Sequence, residues 1–112
     1  MGKLRLLSIG KNKLKNEGTQ YLADAPNLDQ LQELYLNDNE IKEDGANAIQ
    51  SSAFLKNLTH LDLNQNSIGE NGAHILSISG NLMFLKYLNL NHNNIGENGC
   101  KCIADSDSFP LL

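Results

Sequence analysis

The chain has 112 residues, 40% hydrophobic and 20% charged, with a formal net charge of −4 at pH 7, totals that fit a single globular domain. They oppose a nucleic-acid reader, which meets phosphates with clustered Lys and Arg, because Arg5 is the only arginine. No apolar run approaches the roughly 20 residues of a membrane-spanning helix, and Met1 to Leu4 show no signal-peptide apolar segment, so the expected location is cytoplasmic, with neither nucleic acid nor membrane as partner.

In chain order, the first row of the pattern runs Leu4, Leu7, Ile9, Asn12, Leu14 and Gly18. The second repeats it 27 residues on, as Leu31, Leu34, Leu36, Asn39, Ile41 and Gly45. The third reads Leu58, Leu61, Leu63, Asn66, Ile68 and Gly72, and the fourth Leu85, Leu88, Leu90, Asn93, Ile95 and Gly99. Within a row the L-x-L step has period two, so Leu34 and Leu36 point inward from a strand while Tyr35 and Asn37 point outward. After each glycine the apolar period becomes helical, and Gly45, Ala46, Ile49 and Ala53 are expected to face the strands. The pattern predicts parallel strands beginning near residues 7, 34, 61 and 88, each followed by a helix of about ten residues beginning near the glycine. The third helix is expected to be the least regular, because Ser77-Ile78-Ser79-Gly80 combines weak helix formers with a glycine.

The motif L-x-x-L-x-L-x-x-N-x-L resembles the leucine-rich repeat, whose period lies at about 20 to 29 residues. Ile-Gly-Glu-Asn-Gly-Ala at 68–73 is similar to the ribonuclease-inhibitor-like class, found in NOD-like receptor sensors and in effectors of intracellular bacteria. The resemblance implies an α/β leucine-rich-repeat solenoid, a horseshoe arc with a parallel inner β-sheet and outer α-helices. The chain would be a single domain, 1–112, of four repeats: 4–30, 31–57, 58–84 and 85–111. It implies a protein–protein interaction module that is not an enzyme and needs no cofactor, in the host cytosol if the protein is a bacterial effector. In the family the asparagine column, here Asn12, Asn39, Asn66 and Asn93, is a buried structural ladder, and the physics agrees. An amide inside a tight turn satisfies backbone groups that the bend leaves unpaired. Neither end shows the polar cap that solenoids use, so a fragment of a longer array is expected, or end-to-end self-association through the terminal repeats near Leu111 and Leu112.

Subtracting the core columns leaves the outward strand positions as the candidate partner-binding surface. Row one supplies Leu6, Ser8, Gly10 and Lys11; row two Glu33, Tyr35, Asn37 and Asp38. Row three supplies His60, Asp62, Asn64 and Gln65; row four Tyr87, Asn89, Asn91 and His92. Tyrosines among acids, amides and histidines match the composition of protein-binding hot spots.

Two other functions are weighed. Glu33, His60 and Asp62 offer an acid–base set for a hydrolase, but without a nucleophile or a metal. A GTPase-activating or other enzyme-regulatory role follows the resemblance, although Arg5 is a poor source of an arginine finger. The column Asn16, Glu43, Glu70 and Glu97 is read as helix-dipole stabilisation rather than a calcium site. Cys100 and Cys102 are read as reduced core residues of the last repeat rather than metal ligands, and the sequon Asn57-Leu58-Thr59 as a chance match.

Overall fold

The computed structural model describes residues 3–112. Four short strands, β1 (Leu6–Ser8), β2 (Glu33–Tyr35), β3 (His60–Asp62) and β4 (Tyr87–Asn89), form one parallel sheet in the order β1-β2-β3-β4. Leu7 pairs with Leu34, Leu34 with Leu61, and Leu61 with Leu88, so lateral neighbours are 27 residues apart. Helices α1 (Lys15–Ala23), α2 (Glu43–Ser51), α3 (Gly69–Ser77) and α4 (Gly96–Ala104) alternate with the strands, each packing on the next. A strand and a helix in one repeat have one apolar face each and too little area to bury it, so the repeats stack into an α/β solenoid.

The core lies between these layers. Leu31, Leu34, Leu36 and Ile41 of the second repeat, with Leu58, Leu61, Leu63 and Ile68 of the third, are all 1% exposed or less. Burying one such side chain stabilises the fold by about 1.5 to 3 kcal/mol. In the outer repeats the same columns are less covered: Leu4 is 47% exposed, and Leu7, Ile9, Leu88, Leu90 and Ile95 are half-buried, although Leu85 is still fully buried.

The helices begin near the glycine column, two or three residues before it, and run nine residues, as the spacing predicted. Several other sequence expectations need correction. The glycines sit inside the first turn, where the helix presses on the branched residue of the preceding column. A Cβ at Gly45 would lie 2.4 Å from Cγ2 of Ile41, and one at Gly72 2.5 Å from Cγ2 of Ile68. The third helix is no shorter than its neighbours, because Ser77 ends it and residues 78–80 fall in the return loop. Ala53 does not face the strands; α2 ends at Ser51 and Ala53 is exposed. Cys100 and Cys102 are not core residues either, being exposed and half-buried. Cys100 occupies the column of the fully buried Ala46 and Ala73, but no fifth helix packs over α4 among the described residues.

The asparagines cross-link the turns between repeats. Asn66 Oδ1 accepts from the backbone N–H of Asn39 at 2.9 Å and of Ile41 at 3.0 Å, while its Nδ2 donates to the carbonyls of Leu36 and Leu63. Asn39 serves Asn12 N–H and the Ile9 carbonyl in the same way, and Asn93 serves Ile68 N–H and the Leu63 carbonyl. Asn12 differs: it is exposed, and its Nδ2 donates only to Ile9 and Gly10 carbonyls of its own repeat.

Candidate functional site

Because the strands are in register, the outward side chains form straight columns about 4.8 Å apart across the sheet. One column reads Leu6, Glu33, His60, Tyr87; the next reads Ser8, Tyr35, Asp62, Asn89. Glu33, Tyr35, His60, Asp62 and Asn89 are half-buried and Tyr87 is 46% exposed, so this wall combines fixed backbones with accessible tips.

Local bonds order the tips. The Tyr35 hydroxyl donates to Glu33 Oε1 at 2.6 Å, although the two residues alternate with an inward Leu34. This bond to a carboxylate, together with the charges of Glu33 and Asp62, raises the Tyr35 phenol above its ordinary value of 10.0. The His60 ring stacks on Tyr87 with centroids 5.7 Å apart, and Thr59 Oγ1 lies 3.0 Å from His60 Nδ1. Asp62 Oδ1 accepts the Asn64 N–H at 2.8 Å, and Asn89 Oδ1 accepts the Asn91 N–H at 2.9 Å, bending both strand exits alike. Asn37 lies over Gly10, where a Cβ would come within 2.4 Å of its Oδ1. Asn64 Oδ1 is buried with no hydrogen-bond partner among the described residues.

The remaining candidates, Asp38, Asn91 and His92, sit at the exposed strand exits. Asp38 and His92 have left-handed backbones, with φ of 55° and 56°. They flank the wall rather than join its centre.

Glu33, His60 and Asp62 share this patch without forming an acid–base relay. Each polar contact goes elsewhere, to Tyr35, to Thr59 and to the Asn64 backbone. A depression of about 670 Å3 lies on the loop-to-helix side between Asn16, Lys42, Glu43 and Asn71. Glu43, Glu70 and Glu97 occupy the first turns of their helices, where unpaired N–H groups and the helix dipole favour a carboxylate. Asn16 instead accepts from the backbone N–H of Lys42 and Gly45, closing the start of the neighbouring α2. No group of three or more His, Cys, Asp or Glu is arranged to hold a metal ion among the described residues.

One structural column escaped the sequence reading. Ser52 Oγ donates to the Ala23 carbonyl at 2.6 Å and accepts from the N–H groups of Phe54 and Leu55. Ser106 likewise donates to the Ser77 carbonyl, and Ser79, fully buried, accepts from Asn81 N–H. These serines tie helix ends to return loops. The signal was present as Ser52, Ser79 and Ser106 at the repeat spacing, with Ala25 breaking the column in the first repeat.

No curated protein is similar enough to the chain to match it. The family model described as Leucine Rich repeat matches at residues 31–49, 54–77 and 81–104, more than half of the chain in three consecutive stretches. Each stretch carries the strand and buried columns described above, and repeats of this kind generally mediate protein–protein interaction. With its parallel sheet, its flanking helices and these three matches, the chain belongs to the leucine-rich-repeat family.

Proposed function

We propose that this chain is a protein-binding module of the ribonuclease-inhibitor-like class and that its partner docks on the concave strand wall. The observation that carries the reading is the in-register array of Glu33, Tyr35, His60, Asp62, Tyr87 and Asn89, accessible at its tips and held by local bonds. Asn37, Asp38, Asn64, Asn91 and His92 border it on the loop side. Side chains fixed in this way meet a partner with little loss of rotamer freedom, and tyrosine supplies contact area at low entropic cost. A full α-helix in every repeat supports the class. Two free cysteines suit a reducing compartment such as the cytoplasm.

The test is partner capture with Tyr35→Ala and Tyr87→Ala against Gln20→Ala and Lys101→Ala on the outer face, each checked for unchanged folding. Truncating a central aromatic anchor typically costs about 2 kcal/mol, roughly thirtyfold in affinity. Capture that survives the tyrosine changes and falls with the outer-face ones moves the binding surface to the helices.

A second reading, self-association end to end, has its own observation. Leu88, Leu90, Ile95, Cys100, Ile103 and Leu112 line an apolar depression of about 270 Å3 on the open side of the fourth repeat. Sedimentation at rising concentration, with Leu112→Glu as the variant, tests it: mass that grows in the parent chain and not in the variant supports the contact, and a constant mass removes it.

A further inference from the structure

The charges on the wall are of one sign where its aromatic residues lie. Glu33 and Asp62 are the charged outward residues of β2 and β3, and β4 presents none. Of the nine cations, five lie at or before Lys15. Lys11 is an outward cation beyond the end of β1, in a left-handed turn beside Asp38 and past the level of Glu33, while Arg5 lies at the entry edge of the sheet, where its carbonyl accepts from the Glu33 N–H. The ion pairs among the described residues, Lys3 with Asp29 and Lys101 with Asp105, leave Glu33 and Asp62 without a cationic partner.

Each carboxylate has one oxygen engaged and one open to a partner. Glu33 Oε1 takes the Tyr35 hydroxyl and Asp62 Oδ1 takes the Asn64 N–H, which leaves Glu33 Oε2 and Asp62 Oδ2. Tyr35 stands between them, bonded to Glu33 within its strand and paired in register with Asp62 on the next. The two acids are diagonal neighbours, one strand apart and two residues apart in level, so their backbones are separated by about 8 Å. A group filling this site must carry positive charge, offer N–H donors in two directions and lie flat against a phenol ring. Guanidinium does all three, with five donors in a planar fork and a favourable stacking energy on tyrosine. An ammonium carries the charge and three N–H donors but has no plane to lie flat on the ring, so it fails the third requirement.

We propose that the wall recognises a basic protein segment through an arginine side chain laid on Tyr35, bridging Glu33 Oε2 and Asp62 Oδ2, with the stacked His60–Tyr87 pair as the neighbouring apolar platform. The raised pKa of Tyr35 fits this arrangement, since Glu33, which holds its proton, and Asp62 beside it set a negative potential over the ring. The inference rests on the concave wall being the docking surface.

The experiment uses the whole chain and synthetic peptides on a Gly-Ser background carrying arginine, lysine or glutamate, with spermidine as a non-protein polycation. Binding is followed by amide and side-chain chemical shifts at low and physiological salt. The arginine peptide is expected to perturb Tyr35, Asp62 and His60, to bind several-fold more tightly than the lysine peptide, and to lose about tenfold or more with Glu33→Gln/Asp62→Asn. Glu43→Gln/Asp44→Asn, neutralised to the same extent on the first turn of α2, is expected to bind as the parent does. Equal binding of spermidine or the lysine peptide, or an equal loss in the α2 variant, means a diffuse acidic surface and overturns the proposal. If partner capture falls with Tyr35→Ala yet survives Glu33→Gln/Asp62→Asn, the wall docks a partner without reading arginine. Failure of the docking surface itself is distinguishable, because capture then tolerates Tyr35→Ala and Tyr87→Ala as well.

Discussion

Replacing Asn66 by Ala removes the acceptor for two backbone N–H groups, of Asn39 and Ile41, and the donors to the Leu36 and Leu63 carbonyls. A buried polar group left unpaired costs about 1 to 3 kcal/mol. Two stranded donors alone set a range of about 2 to 6 kcal/mol, and a water entering the vacated polar site relieves part of it. The expected loss is therefore about 3 kcal/mol, a large share of the roughly 5 to 15 kcal/mol that holds a domain together. Asn64, two residues earlier, is the internal control. Its amide oxygen already lacks a partner and its side chain makes no hydrogen bond among the described residues, so Asn64→Ala is expected to change stability by less than about 1 kcal/mol. With a urea slope near 1.5 kcal/mol per molar, Asn66→Ala lowers the midpoint by about 2 M. Urea melts followed by circular dichroism decide the comparison. Equal midpoints for the two variants would refute the assignment of the turn amides as the bonds that join one repeat to the next.

Three further outcomes follow from the same geometry. Lys15 has a φ of 60° where the third and fourth repeats use Gly69 and Gly96 at 71° and 70°. Left-handed backbone costs a non-glycine residue about 1 kcal/mol, so Lys15→Gly is expected to raise the thermal midpoint and Gly69→Ala to lower it, although nothing lies within 4 Å of a Cβ at Gly69; the opposite ordering in calorimetry removes the strain argument. Ser52→Ala deletes one donor and an acceptor shared by two N–H groups, and is expected to cost about 1 to 3 kcal/mol in a chemical melt, against almost nothing for the exposed Ser51→Ala. Tyr35 is expected to keep its proton above pH 10.0, because ionisation breaks the bond to Glu33 and adds a charge beside Glu33 and Asp62. That bond is present below the ordinary tyrosine value and is lost as pH rises through the raised one. A phenol titration that does not move to lower pH in Glu33→Gln contradicts this account.

The column spacing in the sequence carries the strand positions, their parallel pairing and the identity of the inward residues. One residue of slippage would turn Leu34 and Leu36 to solvent and Tyr35 into the core, so period two and a fixed repeat together leave one register. The outward columns followed from the same arithmetic. Other features depended on distances that no one-dimensional pattern contains. The change to a helical apolar period placed the helices near the glycine column, but the role of Gly45 and Gly72 in close packing against Ile41 and Ile68 inside the first turn was visible only in the fold. Cys100 follows a buried column, and only the absence of a packed neighbour over α4 among the described residues exposes it. Which outward groups engage each other was likewise decided in three dimensions. Tyr35 turned to Glu33 and His60 to Tyr87 because side-chain reach and rotamer choice, rather than residue type, determine which tips meet on a shared face.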